Sequence, residues 1–429
     1  MRSAVGEART VGRPVALTVP RVDARAPALL PCWTALWRSR LLIWAAGCVA
    51  FVTLGTASGA VHEFDPTRIS SSFGSLGNVL VAPAVRWDSI WYLQIAHDGY
   101  RFAQEASFYP LYPILVRVGS WLTGSLVIAG LLLSFGAMFG GLVIVRRLTE
   151  LELGARPASA AVNLIAFGPM ALFLSALYTE SLFLFLSAGT FYAARRGRWW
   201  VAGALGGLAA LTRVTGVLSL VPVLLMFFYG PRSDLAPASV TSRWRPRYRF
   251  TPAILWSALI PGGAALFSGY LAVRGFGAGA TIHGQQQFFD HQLVGPLVGV
   301  WNGATAAWHE VKLELAGVPP STYSSQALLQ FGALVLAGVA LCGVFRRLPI
   351  AYGAYAALGL LIPLSSPTVG DPLRGLDRYA SVLFPLYMWA GAWAVEHRAV
   401  RQLVVLSCLL LAFFAAQFAT WHWVGTPLL

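Results

Sequence analysis

Charged residues are scarce in this sequence. They make up only 11% of its 429 residues, whereas about a quarter of the residues of a typical soluble protein are charged. This scarcity excludes an ordinary soluble domain. Lysine occurs once, at Lys312, so arginine carries nearly all of the positive charge.

Cysteine is rarer still. The four cysteines lie at positions 32, 48, 342 and 408, and no two of them form a Cys-x-x-Cys pair. The sequence therefore indicates neither a disulfide framework nor a zinc site. It also lacks the alternating pattern of membrane-barrel strands, and only helices and closed barrels can span lipid.

Long apolar runs, by contrast, recur along the chain. Hydrophobic residues make up 57% of the sequence and aromatic residues 13%. The runs are roughly 18 to 22 residues long, which is the length that crosses ~30 Å of hydrocarbon. The predicted fold class is an all-α polytopic membrane protein. The predicted spans are 41–61, 125–145, 158–177, 180–194, 199–213, 214–230, 251–273, 325–345, 349–365, 379–396 and 402–422.

The segment 108–123 leaves the number of spans open. Pro110, Pro113 and Arg117 interrupt it, so we interpret it as a half-inserted helix, with a twelfth crossing as the alternative. The prediction is thus about 11 transmembrane helices, within a range of 10–12. They form a single transmembrane domain, 41–429, after an arginine-rich cytoplasmic tail, 1–40, which is expected to be disordered. The long outer segments that this arrangement predicts are 62–124, 274–324 and 366–378.

The two kinds of charge are separated across the predicted membrane. With a cytoplasmic N-terminus, 22 of the 30 arginines fall in inner segments, as the positive-inside rule demands. The net charge of +14 is therefore explained mostly by membrane topology, and it implies no nucleic-acid partner. Of the 17 acidic residues, 11 fall outside, which suggests that the chemistry lies on the outer face. These are Glu63, Asp65, Asp88, Asp98, Glu105, Glu180, Asp290, Glu310, Glu314, Asp371 and Asp377.

The stretch RWDSIWYLQIAHDGY, residues 86–100, combines charged and aromatic side chains. Asp88, Trp91 and Tyr92 share one helical stripe, and Gly99 suits a helix end. An interfacial helix with an aromatic belt explains the aromatic residues. It does not explain Asp88, because an acid at the hydrocarbon boundary is costly unless it is paired or used. The alternatives are an ion pair with Arg86 or Arg117, or a catalytic role.

This stretch, together with FYPLYP at 108–113, resembles the bacterial relatives of PIG-V, the GPI mannosyltransferase II family of the glycosyltransferase C superfamily. SALYTESLFLFLS (175–187), ALTRVTG (210–216) and RGLDRYASVLFPLY (374–387) extend the resemblance. It implies that 41–429 is a glycosyltransferase domain, with inverting transfer of mannose from a polyprenyl-phosphate donor on the outer face. The identity of the acceptor does not follow from the resemblance, and a glycolipid or glycan is the expected class. The family's catalytic aspartate corresponds to Asp88. Because the chain is rich in arginine, the expected location is a bacterial plasma membrane.

The residue types suit that chemistry. An aspartate supplies the base for an acceptor hydroxyl, and arginines bind the phosphate. For each arginine the alternative is snorkelling to lipid headgroups, and for Glu180 it is helix capping. The expected residues for binding the donor phosphate and the substrates are Arg86, Trp87, Tyr92, Tyr109, Glu180, Arg213 and Arg378.

No cofactor or metal is firmly implied. The three histidines of the second outer segment, His283, His291 and His309, fit no common metal motif. No Asp-x-Asp motif is present, which agrees with a lipid-linked donor, although the acids of the first outer segment leave a divalent cation at the phosphate open. A lipid or glycan transporter or flippase is the main rival function, and a non-catalytic scaffold is another. A transporter is disfavoured because the spans are almost free of charge at their centres.

Overall fold

A computed structural model describes residues 29–57, 59–238, 245–318 and 326–421. Within these ranges all regular elements are helical. The α-helices are α1 (Leu29–Leu54), α2 (Ala60–Phe64), α3 (Gly74–Val81), α4 (Asp88–Asp98), α5 (Leu111–Thr123), α6 (Leu126–Leu153), α7 (Ala155–Ala166), α8 (Glu180–Arg195), α9 (Trp199–Ala210), α10 (Leu220–Tyr229), α11 (Leu259–Val273), α12 (Ala280–Phe288), α13 (Pro296–Leu315), α14 (Gln326–Arg347), α15 (Ile350–Ser365), α16 (Leu376–Ser381), α17 (Phe384–Glu396) and α18 (Val400–Thr420). Short 3₁₀ helices lie at Ile69–Ser71, Ala103–Ser107, Val214–Ser219 and Pro252–Ala258.

Five of the described helices are long and apolar enough to cross a membrane. They are Leu29–Leu54, Leu126–Leu153, Pro252–Val273, Gln326–Arg347 and Val400–Thr420. Three shorter apolar helices lie at Trp199–Ala210, Val214–Tyr229 and Ile350–Ser365. The prediction of a mostly helical membrane protein is therefore confirmed. The count of about eleven spans stays a prediction.

Helix α1 begins at Leu29, inside the segment that the sequence predicted to be tail. The reason is that aromatic side chains before residue 40 find partners on α6. The ring of Trp33 meets Phe139 with centroids 5.5 Å apart, and that of Trp37 meets Phe135 at 6.1 Å. The rest of the predicted tail, 1–28, lies outside the described residues, as do 319–324 of the second outer segment.

The predicted span 158–177 is wrong in its second half. Helix α7 ends at Ala166, and the chain continues in turns as far as Glu180. Gly168 and Pro169 explain the break, because proline has no amide hydrogen and disfavours a helical conformation in the residue before it. All residues from 171 to 180 are nevertheless buried.

Two polar side chains satisfy carbonyls of this buried irregular segment, 167–179. Arg40 of α1 donates to the carbonyls of Ala166 and Ala171 at 3.1 and 3.3 Å. The hydroxyl of Ser134 on α6 donates to the carbonyl of Ala176 at 2.9 Å. These contacts supply partners that a regular helix would have provided within itself.

The segment 62–124, which the sequence predicts to lie outside, is largely helical. Helix α4 covers most of the charged and aromatic stretch and ends at Asp98, and Gly99, which follows, has a φ of 76° that suits a helix terminus. Helix α5 has only 13 residues and is about 20 Å long, too short to cross ~30 Å of hydrocarbon. Its length favours the half-inserted interpretation of 108–123.

Candidate active site

Asp88 is the first residue of α4 and follows a tight turn. Trp87 just before it has φ 56° and ψ −124°, a conformation outside the helical region. The turn is closed by the amide of Ser89, which donates to the Arg86 carbonyl at 3.2 Å. Asp88 thus lies at a helix N-terminus, where the helix dipole favours a negative charge.

The buried irregular segment 167–179 holds this turn in place. The amide of Leu177 donates to the carbonyl of Ala84 at 3.0 Å. The hydroxyl of Tyr178 donates to the Arg86 carbonyl at 3.0 Å and accepts from the Asp88 amide at 3.1 Å. The break after α7 therefore brings Tyr178 into contact with both sides of the turn that carries Asp88.

Four charged side chains form a continuous buried chain beside this turn. Nη1 of Arg378, on α16, lies 2.5 Å from Oδ2 of Asp88, and its Nε contacts Oε1 of Glu180. Nη1 of Arg213 lies 2.5 Å from the same Glu180 oxygen and 3.3 Å from the Thr179 hydroxyl. We refer to Asp88, Glu180, Arg213 and Arg378 as the charge cluster. Its two carboxylates balance its two guanidinium groups.

Aromatic rings pack against both guanidinium groups. The guanidinium of Arg378 lies 4.6 Å from the ring centroid of Tyr178 and 5.2 Å from that of Phe173. The guanidinium of Arg213 lies 4.8 Å from the ring of Tyr379. Such contacts are favourable for a cation and exclude water. They help to fix each arginine beside its carboxylate.

Burial dominates the electrostatics of Asp88. Its side chain is only 10% exposed and that of Arg378 12%. Burial raises the pKa of Asp88, and the positive charge of Arg378 opposes this rise. Among the described residues, Oδ2 has a partner while Oδ1 accepts no hydrogen bond. Buried ion pairs of this kind contribute little net stability, because desolvation offsets their attraction. Stability alone therefore does not account for the charge cluster, which makes it the candidate functional site.

The structure brings some predicted site residues together and separates others. Glu180, Arg213 and Arg378 meet Asp88 in the charge cluster. Arg86 is not the partner of Asp88: it donates to the carbonyls of Ala419 and Val85 at 3.0 and 2.7 Å. Its guanidinium also lies over the rings of Phe51 and Trp421.

Arg117 is not the partner of Asp88 either. It donates to the carbonyl of His97 at 3.4 Å. Of the predicted arginines, only Arg378 contacts Asp88. The sequence alone could not identify Arg378 as the partner of Asp88, because the two residues are 290 positions apart in the chain.

The three predicted aromatic residues have different surroundings. Trp87 packs against Phe64 and Trp421, with ring centroids 4.6 and 5.2 Å apart. The Tyr92 hydroxyl lies 3.4 Å from that of Thr179, at the edge of the charge cluster. Tyr109 packs on Phe267 of α11 at 5.1 Å.

Sequence reasoning missed Tyr178, Thr179 and Tyr379. The first two stand in the quoted stretch SALYTES, directly before Glu180, and Tyr379 follows Arg378 in DRYAS. Their position beside a charged candidate was the available signal. Within the described ranges, His, Cys, Asp and Glu side chains form no group of three that could hold a metal ion.

The described residues thus form a helical membrane protein whose buried acid and guanidinium groups converge on the first turn of α4. The family model described as Mannosyltransferase (PIG-V) matches residues 49–236. The resemblance to the PIG-V mannosyltransferase family is therefore confirmed. The matched region contains Asp88, Glu180 and Arg213, while Arg378 lies beyond it.

Curated relatives agree with this family. GPI alpha-1,6-mannosyltransferase 2 of Mus musculus is 31% identical over 212 residues, which cover 46% of this chain and 42% of the mouse protein. GPI mannosyltransferase 2 of Yarrowia lipolytica is 27% identical over 226 residues, covering 52% of this chain and 60% of the yeast protein. The chain thus matches less than half of the mouse relative's length.

A solved structure shares distant similarity. The oligosaccharyltransferase of Archaeoglobus fulgidus, tethered to an acceptor peptide, aligns with 92% of this chain and 56% of its own. The TM-score is 0.41 and the sequence identity 12%. These values are too low to assign a shared fold.

Proposed function

We propose that this protein is a glycosyltransferase that transfers mannose from a polyprenyl-phosphate donor to a hydroxyl group of a glycolipid or glycan acceptor. The observation that carries this proposal is the buried Asp88 carboxylate, held by Arg378 through one oxygen only. A base needs an oxygen within reach of the acceptor hydroxyl. The match to the PIG-V family model and the names of the curated relatives support the choice of mannose.

The proposed step is a direct displacement. Oδ1 of Asp88 takes the proton of the acceptor hydroxyl as the acceptor oxygen attacks the anomeric carbon. The bond between that carbon and the phosphate oxygen breaks, and its electron pair leaves with the polyprenyl phosphate. A single displacement inverts the anomeric configuration. The phosphate is a stable anion, so its departure needs no general acid.

Arg378 has two tasks in this proposal. Its Nη1 and Nε hold Asp88 and Glu180, while Nη2 donates no hydrogen bond within the described residues. We assign the donor phosphate to the side of Nη2, because a guanidinium group binds phosphate through several parallel donors. Arg213 neutralises Glu180 from the other side, which leaves the charge of Arg378 available to Asp88 and the phosphate.

Two of the predicted substrate-binding residues need another assignment. Arg86 and Trp87 are engaged in packing around Trp421, so we propose that they fix the turn before Asp88. Tyr92 stays a proposed substrate contact because it borders the charge cluster. Tyr109 stays a proposed substrate contact only because of its position in the FYPLYP motif. We place the reaction on the outer face of a bacterial plasma membrane, as the arginine distribution suggests.

The test is a transfer assay in sealed vesicles that contain the purified protein. Radiolabelled polyprenyl-phosphate-mannose is supplied with membrane lipid extract as the acceptor source, and the product is identified by mass. We expect a mannosylated product whose anomeric configuration, read by NMR, is opposite to that of the donor. Movement of labelled donor across the bilayer without a new glycosidic bond would instead support the transporter alternative.

A further inference from the structure

The loop between α15 and α16, residues 366–375, is held in place by backbone hydrogen bonds and by packing against α13. The amide of Gln292 donates to the carbonyl of Pro367, and the amide of Val369 to that of Asp290, at 3.0 and 3.2 Å. In addition, a Cβ atom placed on Gly303 of α13 would lie 2.5 Å from Leu373. The helix and the loop are therefore in close contact, and the loop has a fixed position.

Asp371 is buried within this pinned loop, with 6% of its surface exposed. With the Gln330 amide turned to donate, its nitrogen lies 2.8 Å from one carboxylate oxygen, Oδ1, and 3.3 Å from the Leu373 carbonyl. The other oxygen, Oδ2, is buried and has no hydrogen-bond partner among the described residues. A buried carboxylate oxygen without a donor is costly and requires an explanation.

Thr368 adds a second unpartnered oxygen to the same loop. Its residue is 6% exposed, and its hydroxyl Oγ1 is buried without a hydrogen-bond partner among the described residues. The loop therefore holds a carboxylate oxygen, which accepts, and a hydroxyl, which both donates and accepts. Both groups belong to a loop whose backbone is held by hydrogen bonds and by packing against α13.

The loop leads directly to the charge cluster. It ends at α16, which carries Arg378. Arg374, within the loop, donates its amide to the Asp371 carbonyl at 3.1 Å. Burial lowers the pKa of Arg374, and the negative charges of Asp371, Asp88 and Asp290 oppose this effect. The loop and the charge cluster are therefore joined directly through α16, whose Arg378 lies seven positions after Asp371.

We propose that Asp371 and Thr368 form a subsite that binds the hydroxyl groups of a sugar beside the charge cluster. The proposal rests on the proposed glycosyltransferase function and deepens it. The sugar belongs either to the donor or to the acceptor, and both present the same hydroxyl chemistry. When bound, a sugar hydroxyl donates to Oδ2 of Asp371 and a second one pairs with the Thr368 hydroxyl.

Other ligand classes fit this loop less well. A phosphate group is repelled by Asp371, whose carboxylate is acceptor-only when ionised. The described residues around the loop do not include three metal-ligating side chains in one group. Carboxylate, amide and hydroxyl groups together are suitable partners for a polyol. A site that hydrogen-bonds a substrate hydroxyl also rejects analogues that lack it, since its own buried groups are then left unpaired.

The test compares Asp371→Asn and Thr368→Val with the wild type in two measurements. The first is binding of polyprenyl-phosphate-mannose and of plain polyprenyl phosphate to the protein in nanodiscs. The second is transfer to the membrane lipid extract that supports wild-type activity. A hydrogen bond from a sugar hydroxyl to a charged group is expected to account for roughly a 10-fold to 100-fold change in binding, and one to a neutral hydroxyl for less.

Two patterns support the proposal and assign the sugar. If the donor supplies it, Asp371→Asn weakens binding of the mannosyl lipid by at least ~10-fold while binding of plain polyprenyl phosphate is unchanged. If the acceptor supplies it, donor binding is unchanged and the apparent KM for the extract rises, with kcat within about threefold of wild type. Thr368→Val shows the same pattern with a smaller effect.

Asp290→Asn is the matched control. Asp290 is exposed, and its backbone belongs to the segment that pins the loop. This variant should bind and transfer as the wild type does. The proposal is overturned if folded Asp371→Asn and Thr368→Val both leave donor binding and acceptor KM unchanged. It is also overturned if both lipids lose affinity equally. A wild type that binds the mannosyl lipid but transfers nothing contradicts the proposed function instead.

Discussion

The hydroxyl of Tyr178 and the amide of Asp88 are joined by a 3.1 Å hydrogen bond across 90 positions of sequence. The same hydroxyl donates to the carbonyl of Arg86, so one side chain closes both ends of the turn. The backbone of the proposed base is thereby fixed by a residue that belongs to a different part of the chain.

Tyr178→Phe should therefore impair transfer more than its small change in size suggests. The substitution leaves the buried Asp88 amide without its partner, which costs roughly 1–3 kcal/mol. We expect kcat to fall by about 10-fold as Asp88 loses its fixed position. The measurements are kcat in the transfer assay and the midpoint of thermal unfolding in detergent.

Tyr112→Phe is the control for that variant. The Tyr112 hydroxyl bonds that of Ser134 at 2.9 Å and the carbonyl of Gly130 at 3.3 Å, and it forms no hydrogen bond with the turn at residues 86–89. We expect this variant to lose stability while it keeps its turnover. Equal loss of kcat in both variants would contradict a specific role for the Tyr178 hydroxyl.

Asp88→Asn should abolish most turnover. It keeps the shape and most of the hydrogen bonding of the side chain but removes the charge and the basicity. Loss of a general base typically costs 10²–10⁴-fold in rate, so kcat should fall by about that factor while donor binding persists. The measurement is single-turnover transfer together with donor binding in nanodiscs.

Asp98→Asn is the matched exchange at the other end of α4. Asp98 pairs with His97 and Arg101, both of which are well exposed. Its neutralisation should change kcat little. If Asp88→Asn turns over normally, or if it fails only because the protein no longer inserts into the membrane, the catalytic role is wrong.

Arg378→Ala should damage both stability and activity. The buried carboxylates of Asp88 and Glu180 lose a shared partner, and removing one side of a buried ion pair costs about 3–5 kcal/mol. Arg378→Lys keeps the charge but lacks the planar set of donors, so it should retain part of the activity. Kinetics with both variants, at several donor concentrations, separate KM from kcat.

Arg347→Ala provides the comparison for an ion pair outside the site. Arg347 contacts Glu396 at a surface where both side chains are substantially exposed. Surface pairs contribute little, so activity and unfolding should hardly change. An Arg378→Ala variant with unchanged KM and kcat would show that Arg378 has no role beyond anchoring the helix.

The pH dependence of transfer should report Asp88. The base works only when it is ionised, and burial raises its pKa above the usual aspartate value of 3.8. Activity is therefore expected to fall as the pH drops through this raised pKa and to level off above it. The profile of kcat/KM against pH measures this limb.

A neighbouring acid serves as the control for the pH profile. Burial raises the pKa of Asp377 to about 6, so this group could produce a similar limb. We expect Asp377→Asn to keep the acidic limb and Asp88→Asn to remove it from the residual activity. If the acidic limb disappears in Asp377→Asn instead, the titration belongs to Asp377.

Topology can be tested with reporter fusions. The arginine distribution predicts cytoplasmic positions after Arg147, Arg198, Arg249 and Arg347, and an external position within 290–310. An external signal after Arg249 would contradict the outward placement of every proposed site residue.

The sequence predicted most helices because each span needs an unbroken apolar run, which is a local property. The sequence motifs also contained all four residues of the charge cluster as candidate site residues. The sequence did not predict that Arg378 rather than Arg86 pairs with Asp88, because the proximity of two residues 290 positions apart depends on the packing of whole helices. Burial likewise obscured the break at Pro169, since a buried irregular segment is as apolar as a buried helix.

That break has a consequence for any attempt to make the protein more robust. Replacing Gly168 and Pro169 with good helix formers would extend α7 and satisfy more of its backbone internally. The same change would draw Tyr178 and Glu180 away from Asp88. Thermostability and catalysis should therefore trade off at these two positions, and a screen that selects for heat resistance alone should accumulate inactive variants there.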